Sequence, residues 1–497
     1  MARILIVDDD RHFVRVARHS LEGHGYEVSA AQDTRAALSL MERATPDLVL
    51  LDDDLDQAAD EPDVRARMSR STRLQGIPVV LLTSLPEEPV DADEQPRGAP
   101  SLAKTLEPKA LLEAAAEYTT RTAFVYSPQY AEYDYGSDHP LEPGRARETA
   151  ELCRRYGLLD RPWMDVVEPQ PATLEDMAMF HDLEYLAALK EANDGLFRER
   201  MIEFGLGTVD CPVFTGVYDY SALVAGGTLL AANLASKDGY GLAFNLAGGF
   251  HHAQRRNAEG FCYVNDVVIA IRHLLSEGHR IVYLDLDAHH GDGVQSAFYS
   301  DNRVLTISLH ESGKTLFPWS GFETEIGSGV GKGYNINLPL PPQTDDELFL
   351  LAFNEVVPPA LSAFDPDIVV ALIGADGLLA DPLSHLSLTN NSYAEAVKMI
   401  EAMSPRCVAL GGGGYQMNSV TRAWCLAWAV MNGIEPQNEY AGTIAGMMLG
   451  TEYVEGGGLR DRHAYTTGPL KAEIRQEVLR VTEYIEKTVL PLIQSGP

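Results

Sequence analysis

The sequence contains no CxxC pair, and its five cysteines (Cys153, Cys211, Cys262, Cys407 and Cys425) are odd in number and widely scattered. That pattern argues against a disulfide framework and predicts reduced thiols in a cytoplasmic protein. Long apolar runs are missing too. The amino terminus reaches Asp8 after the short run Ile4-Leu5-Ile6-Val7, which makes no signal-peptide core. No run approaches the length needed to cross a bilayer, so no membrane partner is expected. Positive charge is scarce: 39 Lys and Arg stand against 72 Asp and Glu, a net charge of −33. A field of that sign repels nucleic acid and anionic lipid, and favours cationic partners such as basic protein tails or polyamines. Neither internal repeats nor low-complexity tracts interrupt the chain.

What is present is a soluble globular composition spread over 497 residues, more than one ordinary core accommodates, which predicts two domains. Over residues 3–118, buried-strand-like runs at Ile4–Val7, Asp47–Leu51 and Ile77–Leu82 alternate with helical spacing at Arg11–Gly23, Thr34–Ala44 and Pro108–Tyr118. This is the pattern of βα units on a parallel sheet. The acidic, proline-rich stretch Pro86–Pro100 suits a regular helix poorly. A new strand, Thr122–Tyr126, follows after a very short linker, giving domains 1–119 and 122–497. In the second domain, strands are expected at Gly241–Leu246, Ile281–Leu286, Val304–Leu309, Ile368–Ile373 and Cys407–Leu410, with helices such as Asp345–Phe364 between them.

Polar residues of the second domain fall at strand ends. Gly248-Gly249-Phe250-His251-His252 follows one apolar run, and Asp285-Leu286-Asp287-Ala288-His289-His290-Gly291-Asp292-Gly293 ends another. Gly374-Ala375-Asp376 ends a third, and Gly411-Gly412-Gly413-Gly414-Tyr415 follows a fourth. Open parallel sheets bind ligands outside the carboxyl ends of their strands, so the four clusters can meet in one site. Asp285, Asp287 and His289, at alternate positions, share one face of an extended chain. Two carboxylates there are costly unless neutralised, and Arg280 lies at the opposite strand end. A divalent cation resolves the conflict: carboxylate oxygens and one imidazole leave an open position on a tetrahedral ion, as in catalytic zinc sites. Each piece alone has a blander reading, as a polar turn or a tight glycine turn. Their joint occurrence at strand ends is the stronger signal.

These residues, together with Gly260-Phe261-Cys262-Tyr263-Val264-Asn265-Asp266, resemble the histone deacetylase family, in particular the class I-like branch that includes bacterial acetoin-utilisation deacetylases. The resemblance runs from about Thr122 to beyond Trp424. It implies the arginase/deacetylase α/β fold, a central parallel sheet between helical layers. By that resemblance Asp287, His289 and Asp376 would bind zinc. His251 and His252 would be the paired imidazoles, oriented by Asp285 and Asp292, and Tyr415 would hydrogen-bond the oxyanion. Phe261 and Phe317 would wall a narrow acyl-lysine tunnel with Gly260 and Leu383 nearby. Asp210 would grip substrate backbone at the rim, and Arg145 would sit in an inner channel. A potassium site would use Asp285, Ser308, Leu309 and main-chain carbonyls, including those of Asp287 and His289. Of the paired imidazoles, His252 is expected to shuttle the proton, with His251 mainly electrostatic.

Residues 1–118 independently resemble the response-regulator receiver family, a flavodoxin-like α/β domain. Asp8 and Asp9 close the first strand, Asp52 ends the third, Thr83 ends the fourth and Lys104 follows the fifth. The resemblance implies Asp52 as phosphoacceptor, magnesium held by the acids, Thr83 and Lys104 on the phosphoryl group, and a histidine kinase as partner. Three features depart from the pattern: further acids at Asp53, Asp54 and Asp56, Thr105 in place of the usual proline, and the Pro86–Pro100 stretch. A structural or dimerisation module is the alternative for this domain.

The expectation is therefore a zinc-dependent lysine deacetylase acting on an acetylated protein, under receiver control. An acetylpolyamine or other small-amide hydrolase, and a non-catalytic acetyl-lysine binder, are the competing readings. Arginase-type chemistry through two manganese ions needs more ligands than this set offers. His12, His19, His24, His273 and His279 read as solvent contacts and Cys262 as packing. The amphipathic segment around Leu470–Leu492 reads as cover for the core and a candidate contact between copies in a homo-oligomer.

Overall fold

The computed structural model describes residues 2–56, 64–68, 71, 74, 77–83, 101–104, 108–119, 121–161, 163–237, 239–436 and 458–493. Pro86–Pro100, Thr105 and the Asp56 side chain lie outside them. The chain divides into two compact units, Met1–Arg121 with Asp160–Met164, and Thr122–Leu159 with Asp165–Pro497.

The first unit is a five-stranded sheet of β1 (Arg3–Val7), β2 (Glu27–Ala31), β3 (Leu48–Asp52), β4 (Val79–Thr83) and β5 (Ser101–Ala103) in the order β2-β1-β3-β4-β5. Every pairing is parallel. This is the flavodoxin-like order, which puts the carboxyl ends of β1 and β3 at the switch point where ligands bind. β3 is buried throughout, as its unbroken apolar run requires. The helix Arg11–Gly23 starts where it does because Asp10 caps it, accepting the amides of His12 and Phe13. Two strands had little signal in the sequence: β2 reads EVSAA and is mostly half-buried, and β5 has three residues.

The second unit holds an eight-stranded sheet of β6 (Arg121–Val125), β7 (Met164–Val167), β8 (Tyr240–Asn245), β9 (Ile281–Asp285), β10 (Val304–Glu311), β11 (Asn335–Leu340), β12 (Ile368–Leu372) and β13 (Cys407–Leu410). Its order is β11-β10-β9-β12-β13-β8-β6-β7, and the pairings from β11 to β8 are parallel. β9, β12, β13 and β8 therefore stand side by side with their carboxyl ends together, which gathers the four polar clusters. β11 escaped the sequence reading because NINLPL mixes Asn and Pro into its apolar run; as an edge strand it tolerates Pro339.

The helix expected at Asp345–Phe364 is present. The helix Asp346–Phe364 is long and apolar enough to cross a membrane by length and composition. Here it is a core helix. Asp345 caps it through the Leu348 amide, and it packs against the helices Asn390–Met403 and Gly468–Thr488. The latter is the expected amphipathic cover, burying Ile474, Val478, Val481 and Ile485. His12, His19 and His24 are exposed, but His273 is half-buried and its Nε2 lies 3.0 Å from Asn233 Oδ1.

His181 illustrates how buried imidazoles make the fold acid-sensitive. It is 2% exposed, its Nε2 accepts the Asn265 amide at 2.9 Å, and burial pushes its pKa down to about 4. The folded chain thus binds fewer protons than the unfolded chain below the ordinary value near 6.5. The associated stability is full above that pH and is lost as pH falls toward about 4, roughly 3 kcal/mol in all. A His181→Gln chain should be less stable than the parent at pH 7.5, and the difference in urea midpoint should shrink by pH 4.5. A difference that stays constant with pH would show that His181 is not responsible.

Candidate active site

β9 ends at Asp285, and the chain then curls instead of staying extended. The Asp287 amide donates to Asp285 Oδ1, and the His289 amide donates to Asp287 Oδ1, each at 3.0 Å. These local turns of Asp side chains onto the backbone two residues on override the simple alternation. Asp285 consequently does not join Asp287 and His289. Its Oδ2 lies 2.8 Å from His251 Nδ1 and accepts the Tyr283 hydroxyl at 2.6 Å.

Asp287 and His289 instead converge with Asp376, from the end of β12. Their donor atoms all lie within 4.8 Å of one another, and all three side chains are buried. His289 Nδ1 is 2.8 Å from Asp376 Oδ2 and 3.2 Å from Asp287 Oδ1. The outer oxygens are fixed by the backbone: Ala288 N–H donates to Asp376 Oδ1 at 2.8 Å and Gly413 N–H to Asp287 Oδ2 at 2.6 Å. Two glycines make this approach feasible. A Cβ on Gly413 would stand 2.2 Å from Asp376 Oδ2, and one on Gly374 would stand 2.4 Å from Asp287 Oδ2. Burial and the neighbouring charge of Asp287 push Asp376 up to about 7. Burial opposes charge on His289 as well, but its bonds to Asp287 and Asp376 prevail and raise it to about 10. Two oxygen ligands and one imidazole nitrogen, crowded and short of positive charge, fit a catalytic zinc ion with an open position.

Beside this cluster, His251 and His252 face each other, Nε2 to Nε2 at 3.1 Å. Each Nδ1 is held by a carboxylate, Asp285 for His251 and Asp292 for His252, at 2.8 Å in both cases. Such bonds place a proton on Nδ1 and leave Nε2 to accept one. The two rings differ in charge preference. Burial disfavours charge on both, but Asp285 and Asp287 raise His251 to about 9, whereas burial and the charge on His251 lower His252.

Tyr415 completes the cleft, which is also lined by Gly249, Gly260 and Cys262. Its ring centroid is 6.3 Å from that of His289 and 5.6 Å from that of Phe261. Burial, together with the charges of Asp376 and Asp287, holds the phenol well above its usual pKa, so it remains a donor. Arg145 sits beneath the glycine loop, its guanidinium bonding Gly414 O at 2.9 Å and Gly412 O at 2.7 Å and lying over the Trp424 ring. Gly260 packs against His252 and Phe317; a Cβ there would stand 2.5 Å from His252 Cδ2. Phe317 and Phe261 are half-buried beside His252 and Tyr415, and Leu383 is half-buried on the loop whose Asp381 holds the Tyr415 amide. Asp210 is exposed, and its main-chain oxygen bonds His139, whose ring meets Phe261 edge-on at 4.5 Å. Ser308 is paired in register with Asp285 on the neighbouring strand, and Leu309 follows it, 1% exposed. Cys262 is buried, with burial pushing its thiol far above the range of a nucleophile.

Several supporting residues were not assigned from sequence. Asp266 accepts the Gly249 and Phe250 amides, and Asn265 donates to His251 O and Ala253 O, together fixing the His251–His252 turn. Both belong to the quoted motif, so their presence was visible although their role was not. Asp381 accepts the amides of Tyr415 and Leu383 and has no comparable sequence signal.

In the first unit, the donor atoms of Asp8, Asp9 and Asp52 also lie within 4.8 Å of one another. Lys104 Nζ reaches Asp52 Oδ2 at 2.7 Å and Asp8 Oδ2 at 3.0 Å. Thr83 ends β4, and its carbonyl accepts the Lys104 amide at 2.7 Å. An all-oxygen set of this kind suits magnesium.

Residues 139–431 match the family model described as histone deacetylase domain, and residues 4–116 match the one described as response regulator receiver domain. Histone deacetylase 19 of Arabidopsis thaliana is 38% identical over 328 residues, covering 64% of this chain and 65% of that protein. The acetoin utilization protein AcuC of Bacillus subtilis is 39% identical over 326 residues, covering 64% of this chain and 84% of its own length. The chain thus spans slightly less than two thirds of the plant relative. The crystal structure of a histone deacetylase homologue from Aquifex aeolicus superposes with a TM-score of 0.66 at 32% identity, covering 73% of this chain and 100% of that one.

Proposed function

Because this chain belongs to the histone deacetylase family, we propose that its larger domain is a zinc-dependent amidohydrolase that removes acetyl groups from lysine side chains of proteins or peptides. The observation that carries the reading is the convergence of Asp287, His289 and Asp376 beside two carboxylate-held imidazoles and a neutral phenol. A zinc ion held by those three residues would supply Lewis-acid polarisation of the acetamide carbonyl and of the attacking water. His252, the imidazole disposed to be neutral, takes the water proton at Nε2 and returns it to the departing lysine amine. His251, disposed to be charged, stabilises the developing negative charge, and the Tyr415 hydroxyl donates to the oxyanion. Asp285 and Asp292 hold the two rings in the required tautomer. Phe261, Phe317, Gly260 and Leu383 line the path of the acyl-lysine stem, and Asp210 holds substrate backbone at the rim. Potassium is assigned to Asp285, Ser308, Leu309 and the carbonyls of Asp287 and His289. The five reduced, buried thiols fit a reducing compartment such as the cytoplasm.

The net charge of −33 also suits acetylpolyamines, a second reading. Parallel assays on an acetyl-lysine peptide and on acetylspermidine separate the two. The peptide should be hydrolysed with the higher kcat/KM, and the reverse order would favour the polyamine. A chain that binds acetyl-lysine without turning it over would be the scaffold instead.

For the first domain we infer phosphorylation of Asp52, with magnesium held by Asp8, Asp9 and Asp52 and the phosphoryl group met by Thr83 and Lys104, from a histidine kinase donor. The charge-assisted Lys104–Asp52 bond is the element such a modification would rearrange. Acetyl phosphate with magnesium should change the deacetylation rate or the oligomeric state of the full chain, and should leave an Asp52→Asn chain unaltered. If Asp52 becomes modified and neither property moves, the regulatory idea fails.

A further inference from the structure

Two loops border the candidate site, one through Phe317 and the other through Asp376 and Asp381, and one buried carboxylate ties them together. The first follows β10 and carries Phe317, whose ring centroid is 5.0 Å from that of His252. The second follows β12 and carries Leu383, whose amide shares the Asp381 carboxylate with the amide of Tyr415, at 2.9 and 2.7 Å. Glu311, the last residue of β10, is 1% exposed. Its Oε2 accepts the main-chain N–H of His385 at 2.7 Å. Its Oε1 accepts the Thr315 hydroxyl at 2.9 Å and lies 2.9 Å from His385 Nδ1. Thr315 belongs to the Phe317 loop and His385 to the Leu383 loop. The amide of Glu311 itself donates to Ala288 O at 2.9 Å, next to His289.

A buried carboxylate is costly unless its oxygens are hydrogen-bonded. Here donors come from both loops, so the loops cannot part without leaving Glu311 unsatisfied. The site chemistry described above uses neither Glu311 nor His385. The His385 side chain is 63% exposed, so its partner is an interior carboxylate while its other edge meets solvent. That is an arrangement for holding a surface loop down.

We propose that Glu311 and His385 form a latch that sets the width of the acyl tunnel by fixing the Phe317 and Leu383 loops against each other, which makes Glu311 a positioning residue for acyl-chain selectivity. The inference rests on the deacetylase reading of this site. Opening the latch widens the passage and admits longer acyl groups, while the groups that perform the chemistry stay in place.

The test uses the full chain and acetyl- and butyryl-lysine peptides of one sequence. In Glu311→Ala the butyryl-to-acetyl ratio of kcat/KM rises about fivefold or more, chiefly through KM, within what a methylene or two of pocket fit can discriminate. Glu311→Gln stays within about twofold of the parent, because its amide oxygen can take the His385 N–H while its NH2 donates to Nδ1 and the Thr315 hydroxyl. His385→Ala keeps the main-chain bond and shifts the ratio in the same direction by less. Hydrogen exchange gives a readout independent of turnover: amides of 312–320 and 382–388 exchange faster together in Glu311→Ala than in the parent. An unchanged acyl ratio in folded Glu311→Ala, or faster exchange in one loop only, overturns the latch. Should that variant fail to fold, an unchanged ratio in His385→Ala overturns it. If the parent does not hydrolyse acetyl-lysine but the two loops still loosen together, the deacetylase reading fails and the latch stands.

Discussion

Replacing Asp376 by Asn should strip the full chain of its zinc and lower turnover of an acetyl-lysine peptide by at least roughly a hundredfold, the upper range for disturbing a metal's outer partners and a minimum for losing a ligand. Asn has the shape of Asp376, and its amide oxygen can still accept the Ala288 N–H that Oδ1 accepts now at 2.8 Å. What it lacks is the negative charge, one of two that the metal would neutralise. The variant should fold, because the substitution keeps the shape of the side chain and the acceptor for the Ala288 N–H. Elemental analysis of the purified variant checks the first half of this outcome and a peptide assay the second. Stoichiometric zinc in a folded variant would remove Asp376 from the ligand set.

Replacing Tyr415 by Phe should lower kcat on the same peptide by at least roughly tenfold, the small end of what one oxyanion donor contributes, and leave KM and zinc content near those of the parent. The change removes the hydroxyl alone. The Tyr415 amide remains bonded to Asp381, and the ring can keep its edge contacts with Phe261 and His289. The loss should therefore appear in the chemical step, since a donor aimed at developing charge acts little on the ground state. Near-normal kcat would take the phenol out of the mechanism.

These two residues also show why the site was legible in the sequence. Asp376 and Tyr415 follow apolar runs that can only be buried strands, and a parallel sheet carries all such ends to one edge. Strand ends marked the clusters that contain them, and the family resemblance implied their roles. The local geometry was not readable. Alternation placed Asp285 with Asp287 and His289, yet the Asx-type turns after β9 send Asp285 to His251 instead. Asp381 and Glu311 were missed because each reaches one backbone amide distant in sequence, Tyr415 and His385 respectively, which leaves no pattern in the residue string. The fold was legible where strands are continuous and apolar, as in β3, β9 and β12. It was not legible at β2, β5 and β11, where short length, half-burial or an internal Pro and Asn erase the signal. The helix expected at Asp345–Phe364 was legible as well, because its apolar spacing is that of a core helix.

Zinc-edge anomalous diffraction from crystals of the full chain, grown with one equivalent of zinc, addresses the metal assignment most directly. A single strong peak is expected about 2.0–2.2 Å from an Asp287 oxygen, His289 Nδ1 and an Asp376 oxygen. No peak at those three residues, in crystals of protein that hydrolyses acetyl-lysine, would contradict the account.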